Sequence, residues 1–192
     1  MQALFDYGPR YARVLRTAQL GFHTPTNLSA FAVSEWLKGS ATTDFGAPDI
    51  APTGDTRLVD NAELQGFQRL LKACWRTFDA VTQATTGKVL RTGPRGGGRD
   101  VDGIIQHVLG SDASYLAGLG GKLPPGNQAN VSQRLDQTRQ AILSALASAA
   151  RGEMAARGPR GGIRWTPRYF VRRVAWHVLD HIWEIEDRVQ LD

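Results

Sequence analysis

Thr166-Pro167-Arg168-Tyr169-Phe170-Val171-Arg172-Arg173-Val174-Ala175-Trp176-His177-Val178-Leu179-Asp180-His181-Ile182 decides how this chain folds. Thr166 is a helix N-cap and Pro167 fits the first helical position, where its fixed φ and missing N–H do no harm. After them, Phe170, Val174, His177, Val178, His181, Ile182 and Ile185 recur at helical spacing and form one face. His177 and His181 stand one turn apart on that face, with Cβ atoms about 5–6 Å apart, so two imidazole nitrogens can reach one ion.

Working outward, three more amphipathic helices follow from the same arithmetic. Asp60-x-x-Glu63 resembles a capping box and opens a stripe of Leu64, Phe67, Leu70, Leu71, Cys74, Trp75, Phe78 and Val81, ending near Thr86-Gly87. A second helix starts after Asp100 or Asp102, carries Ile104, Ile105, Val108, Leu109, Tyr115 and Leu116, and stops at Gly118. A third follows Asn130 and carries Leu135, Thr138, Ile142, Leu143, Leu146 and Ala149. Four such helices predict a mainly α protein built as a four-helix bundle over residues 58–192.

Residues 1–57 are expected to form an extension. Leu4, Tyr7, Tyr11, Val14, Leu15 and Ala18 sit at helical spacing, with Gly8-Pro9 interrupting the first turns and moving the expected start toward Pro9. Phe31, Val33, Glu35 and Leu37 alternate with smaller or polar neighbours, which predicts a strand over 29–37. Residues 39–57 hold three glycines and two prolines and form an irregular connection.

Composition sets the class. The chain has 192 residues with 42% hydrophobic content, enough for a core without staples. A single cysteine, Cys74, excludes an internal disulfide framework and favours a reducing compartment. With no apolar run near 18 residues and no signal-peptide plan, a cytoplasmic protein without a membrane partner is expected. On that ground the sequons at Asn27 and Asn130 are chance. Cys74 is read as a small buried hydrophobe and His23 as a surface residue.

The net charge of +5 is concentrated in two segments, 91–99 and 151–173. Both contain the same pattern: Gly93-Pro94-Arg95-Gly96-Gly97-Gly98-Arg99 and Gly158-Pro159-Arg160-Gly161-Gly162-Ile163-Arg164. No Gly-Lys-Ser/Thr follows either one and neither follows a strand, so neither is a P-loop or a dinucleotide fingerprint. One reading is a pair of solvated connections. The other is a pair of backbone nests whose arginines Arg95, Arg99, Arg160 and Arg164 hold a carboxylate or phosphate of a cofactor or substrate. Trp165 is the only aromatic residue beside them, so nucleic acid is disfavoured.

His107, in Ile104-Ile105-Gln106-His107-Val108, lies on or beside the apolar face of the second helix. Three inward imidazoles on two helices match a site with three protein ligands and one open position, as in catalytic zinc centres. The competing reading is three core histidines satisfied by carbonyls or carboxylates; neutral imidazoles left unpaired in a core would destabilise it. Glu184, one turn past His181, is placed to support it, Asp180 to face away, and Tyr115 to line a pocket.

The residues around these histidines carry a resemblance. Ile105-Gln106-His107-Val108, followed by Asp112 and Tyr115-Leu116, is one part. Tyr169-Phe170-Val171-Arg172-Arg173, running into Ala175-Trp176-His177-Val178-Leu179-Asp180-His181 and Glu184-Ile185-Glu186-Asp187, is the other. Together they make residues 58–190 resemble the DinB-like superfamily of four-helix-bundle metalloproteins. The resemblance implies a divalent ion, zinc or nickel, held by His107, His177 and His181. It further implies a small-molecule substrate, with a low-molecular-weight thiol as a candidate cofactor. The expected activity is that of a metal-dependent thiol S-transferase-like or hydrolase-like enzyme, with at most a second copy of the chain as a protein partner. The alternatives are a non-catalytic anion-binding or nucleic-acid-binding module using the two Arg/Gly segments, or a metal-stabilised structural bundle. Residues 1–38 resemble, more weakly, the closing helix and last strand of a HicB-like domain.

Overall fold

A computed structural model describes residues 1–44, 46–93, 98–124 and 130–190. Six α-helices occur among them: α1 (Gln2–Arg16), the single turn α2 (Ala41–Asp44), α3 (Asn61–Ala84), α4 (Val101–Leu119), α5 (Val131–Ala150) and α6 (Pro167–Arg188). The last four form the bundle. α6 packs against α3 and α4, and α5 closes the ring against the same two helices, which leaves α3 and α4 on opposite corners.

Each bundle helix begins where a side chain satisfies an otherwise orphaned N–H. Asp60 accepts from the Glu63 amide at 2.8 Å, and Asp100 from the Gly103 amide at 2.7 Å. Asn130 and Gln133 form a reciprocal capping box, and Thr166 accepts from the Tyr169 amide at 3.3 Å. α4 runs one residue past Gly118, and Gly120 takes the left-handed conformation (φ 103°) that ends it. The core is Leu71, Cys74 and Phe78 from α3, Ile104, Val108 and Leu116 from α4, Ile142 and Leu146 from α5, and Phe170, Val174, Val178, Ile182 and Ile185 from α6.

The extension differs from expectation in two places. α1 starts at Gln2, not near Pro9, and continues through Pro9 to Arg16. Pro9 removes the one hydrogen bond its N–H would have made to Phe5, and the short helix tolerates this because its other face is buried. Gly8, next to it, leaves room for Thr24 and Pro25. The second difference is the strand expected over 29–37. Leu28–Ala30 is a 3-10 turn capped by Asn27, and residues 31–40 carry no strand. The apolar alternation has no neighbouring strand to pair with, and an unpaired strand cannot satisfy its backbone groups with a ladder. Val33, Trp36 and Leu37 are exposed. The expected N-terminal helix is therefore present and the expected strand is not.

The extension lies along α3 and α6. Val14 and Ala18 join the bundle core. Arg10 pairs with Glu186 (2.5 Å) and Asp187 (2.9 Å), and the Tyr7 ring lies 4.6 Å from that of Trp183. Farther along, buried Asp55 takes both arms of Arg172 at 2.6 and 2.7 Å. An aromatic-lined groove of about 1170 Å³ remains between the extension and the outer face of α6. No helix among the described residues is long and apolar enough to cross a membrane.

Candidate metal centre

α4 and α6 bring the three histidines to one point. The Nε2 atoms of His107 and His177 are 3.2 Å apart, and those of His177 and His181 are also 3.2 Å apart. One ligand nitrogen from each of the three lies within 4.8 Å of the others. Two arms of about 2.0–2.1 Å meeting at a tetrahedral angle span an edge of about 3.3 Å, so the spacing suits a common ion. The i, i+4 spacing on α6 supplies two of the rings. The seam between α4 and α6 supplies the third.

Hydrogen bonding alone does not satisfy this triangle. A neutral imidazole offers one N–H and one lone pair, on opposite nitrogens. The His181 Nδ1–H donates to Glu184 at 2.7 Å, which leaves the Nε2 lone pair aimed at the centre. The single function of His177 Nε2, donor or acceptor, is shared between two neighbours at 3.2 Å, so at most one contact is a hydrogen bond. A cation at the centre accepts all three lone pairs. His177 Nδ1 is buried with no hydrogen-bond partner among the described residues.

Burial and nearby cations favour the neutral form of His177 and His107. Burial is the main cause pushing His177 down to about 3, and the imidazoles of His181 and His107 and the cations Arg173 and Arg99 act in the same direction. Burial, then Arg99, also lowers His107. Neutral imidazole is the form that ligates a metal. His177 and His181 are buried, whereas His107 is half-buried.

Glu184 is held in turn. It pairs with Arg188, whose Nε and Nη2 donate to the carbonyls of Arg91 (2.8 Å) and Arg99 (3.0 Å). Gly98 packs so closely on this guanidinium that a Cβ there would collide with it. The backbone flanking the first Arg/Gly segment thus braces the carboxylate that orients His181.

A model of the DinB superfamily matches residues 70–185. The chain belongs to the DinB superfamily. That stretch contains all three histidines and Glu184, in a superfamily of metal-binding proteins. It does not reach residues 1–38, those of the HicB-like resemblance. A search of curated proteins and of solved structures returns no match.

The other sequence-derived candidates are placed as follows in this DinB-superfamily protein. Arg95 lies outside the described residues. Arg99 is exposed, and its charge bears on His107 and His177. Arg160 is exposed on a turn closed by Gly158 N–H to Gly162 O at 2.8 Å, and the Arg164 guanidinium covers the α-carbon of Gly120. Tyr115 stands edge-on to His177, with ring centres 5.5 Å apart, and Trp165 packs on Tyr115. Asp180 is exposed, as is His23. Cys74 is buried, and burial pushes its thiol up to about 12, which removes it as a nucleophile at neutral pH.

Two residues escaped the sequence reading. Arg188 was hidden because its partners, the carbonyls of Arg91 and Arg99, lie nearly half a chain away. Arg173 follows Arg172, and nothing local distinguishes them, yet Arg172 turns to Asp55 while Arg173 lies over the rings of Tyr115 and Trp176 at 5.5 and 5.3 Å. The groove beside α1 is lined by none of the three histidines.

Proposed function

We propose that this protein is a metal-dependent enzyme acting on small electrophilic or thiol-adduct substrates, of the thiol S-transferase or hydrolase type. The observation that supports the reading is the convergence of the three Nε2 atoms, whose lone pairs only a cation satisfies together. His107, His177 and His181 would hold the ion, with zinc or nickel suiting an all-imidazole set. When bound, such an ion supplies Lewis acidity toward a thiol or water at its open position.

The chain's own residues do the rest. Glu184 fixes the His181 tautomer and ring orientation, and Arg188 fixes Glu184. Tyr115, backed by Trp165, walls the His177 side of the centre. Half-buried His107 marks the approach, which favours a catalytic centre over a purely structural one, since structural sites are closed by protein on every side. The thiol chemistry comes from outside the chain, because its one cysteine is buried away from solvent. A reducing compartment such as the cytoplasm suits both an external thiol and a free Cys74. We assign residues 58–192 as the bundle unit and 1–57 as the extension packed on it.

Metal content tests the reading directly. The purified chain is expected to carry one divalent ion per molecule by elemental analysis, and His181→Ala to carry none. Wild-type protein that binds no divalent ion at equilibrium, with zinc or nickel supplied, overturns it.

A further inference from the structure

Four arginines of α6 have their guanidinium groups described, and three are neutralised. Arg168 pairs with Glu63, Arg172 with Asp55 and Arg188 with Glu184. Arg173 is the exception. No carboxylate among the described residues comes within ion-pair distance of it. Its one hydrogen bond runs from Nη1 to the Pro48 carbonyl at 2.8 Å. Nε is buried without a partner, and Nη2 donates to none of the described residues.

Its position matters as much as its freedom. Arg173 lies one turn before His177, about 6 Å along the helix axis. Its guanidinium sits 5.5 Å from the centre of the Tyr115 ring, and that ring stands 5.5 Å from the His177 ring. On the other side it lies 5.3 Å from the Trp176 ring. A cation partly removed from water onto aromatic faces gains from the π-clouds, yet it remains short of a counter-charge. The nearest charged feature of function is the histidine centre, itself a place for a cation. A guanidinium and a cation site that flank the same Tyr115 ring, with no ion pair at Arg173 among the described residues, make a site for an anion that the ligand brings.

We propose that Arg173 holds a carboxylate of the substrate, so that the centre acts on small molecules bearing a carboxylate close to their reacting atom. The planar fork of a guanidinium matches a carboxylate in shape, and a charge-assisted bond in a half-buried site is stronger than a neutral one. Arg173 thereby performs the role that sequence reading gave to the Arg/Gly segments. The inference rests on the metal reading above. Its test separates the two.

The full-length protein is loaded with Co²⁺, and its visible absorption is followed during titration with 3-mercaptopropionate and, separately, with the methyl ester of the same thiol. The two probes differ only in whether the carboxylate is free. The wild type is expected to bind the acid about tenfold or more tightly than the ester. Arg173→Gln is expected to lose that preference by weakening the acid alone, and Arg173→Lys to regain part of it. Equal binding of the two probes by the wild type, including no binding of either, overturns the inference and leaves the metal reading standing. So does an Arg173→Gln protein in which both probes weaken alike, the result expected if Arg173 only braces Pro48. A wild type that takes up no cobalt overturns both. Should Arg173→Gln not fold, the wild-type comparison and Arg173→Lys still decide.

Discussion

Two buried polar centres share α4, five residues apart. His107 belongs to the three-imidazole centre. Asp112 is almost wholly buried, with Oδ1 unpartnered among the described residues. Burial drives both away from charge. It pushes His177 down to about 3 and Asp112 up to about 7, with Arg139 partly opposing the latter. Arg139 is itself committed elsewhere, with both arms on Asp79 at 2.7 and 2.8 Å. The difference lies in convergence. Three lone pairs aimed at one point are satisfied by a cation; a lone carboxyl is satisfied by a proton. Burial of a titratable group does not by itself make a binding site, and geometry decides which buried groups become one.

The sharpest way to break this comparison is His177→Ala. It removes the nitrogen shared by both short contacts, and metal affinity is expected to fall by more than the roughly 10–100-fold that a supporting residue contributes. Equilibrium dialysis against the metal reads the loss. Near-wild-type affinity in this variant would show that the three rings do not act together.

Asp112 gives the next largest effect, on stability. Its folded pKa lies above its unfolded one, so the folded chain holds the proton more tightly. The Asp112 contribution to stability is then fully present below about pH 4 and is lost as pH rises toward 7, by up to about 4 kcal/mol, while the lowered His177 contributes the opposite slope. Above that both states are ionised at this site and the slope vanishes. Urea unfolding of wild type and Asp112→Asn between pH 4 and 8 checks it, since the variant is expected to lack this part of the slope. Identical slopes would return Asp112 to the ordinary carboxylates.

Glu184→Gln is the mildest of the three. It keeps an acceptor for His181 but removes the charge that Arg188 and the imidazole share. Metal affinity is expected to fall about 10–100-fold with the fold intact. No change would mean that helix packing alone orients His181.

Much of this centre was legible beforehand because it is written in helical spacing. His177 and His181 are one turn apart, His107 falls beside an apolar stripe, and Glu184 is the next turn along. Caps at Asp100 and Thr166 set the two helices that carry them. What the sequence hid depends on contacts between distant segments. Alternation at Phe31, Val33, Glu35 and Leu37 imitates a strand, but a strand needs a second strand, and none lies beside it among the described residues. Arg172 and Arg173 are the same residue in adjacent positions. Only the 100° between them on α6 sends one to Asp55 and the other over Tyr115.

The start of α6 at Thr166 and Pro167 carries one more consequence. A proline at the first position loses no hydrogen bond, whereas one farther inside this packed helix would lose a bond and kink it, so it marks the origin from which the angles of His177 and His181 are counted. A residue gained or lost between Pro167 and His177 would turn the imidazole pair about 100° relative to that origin, out of line with His107, while leaving every ligand in the chain. The connections before α5 and α6 can vary in length without touching that phase. Over the first turns of α6 the number of residues matters as much as their identity.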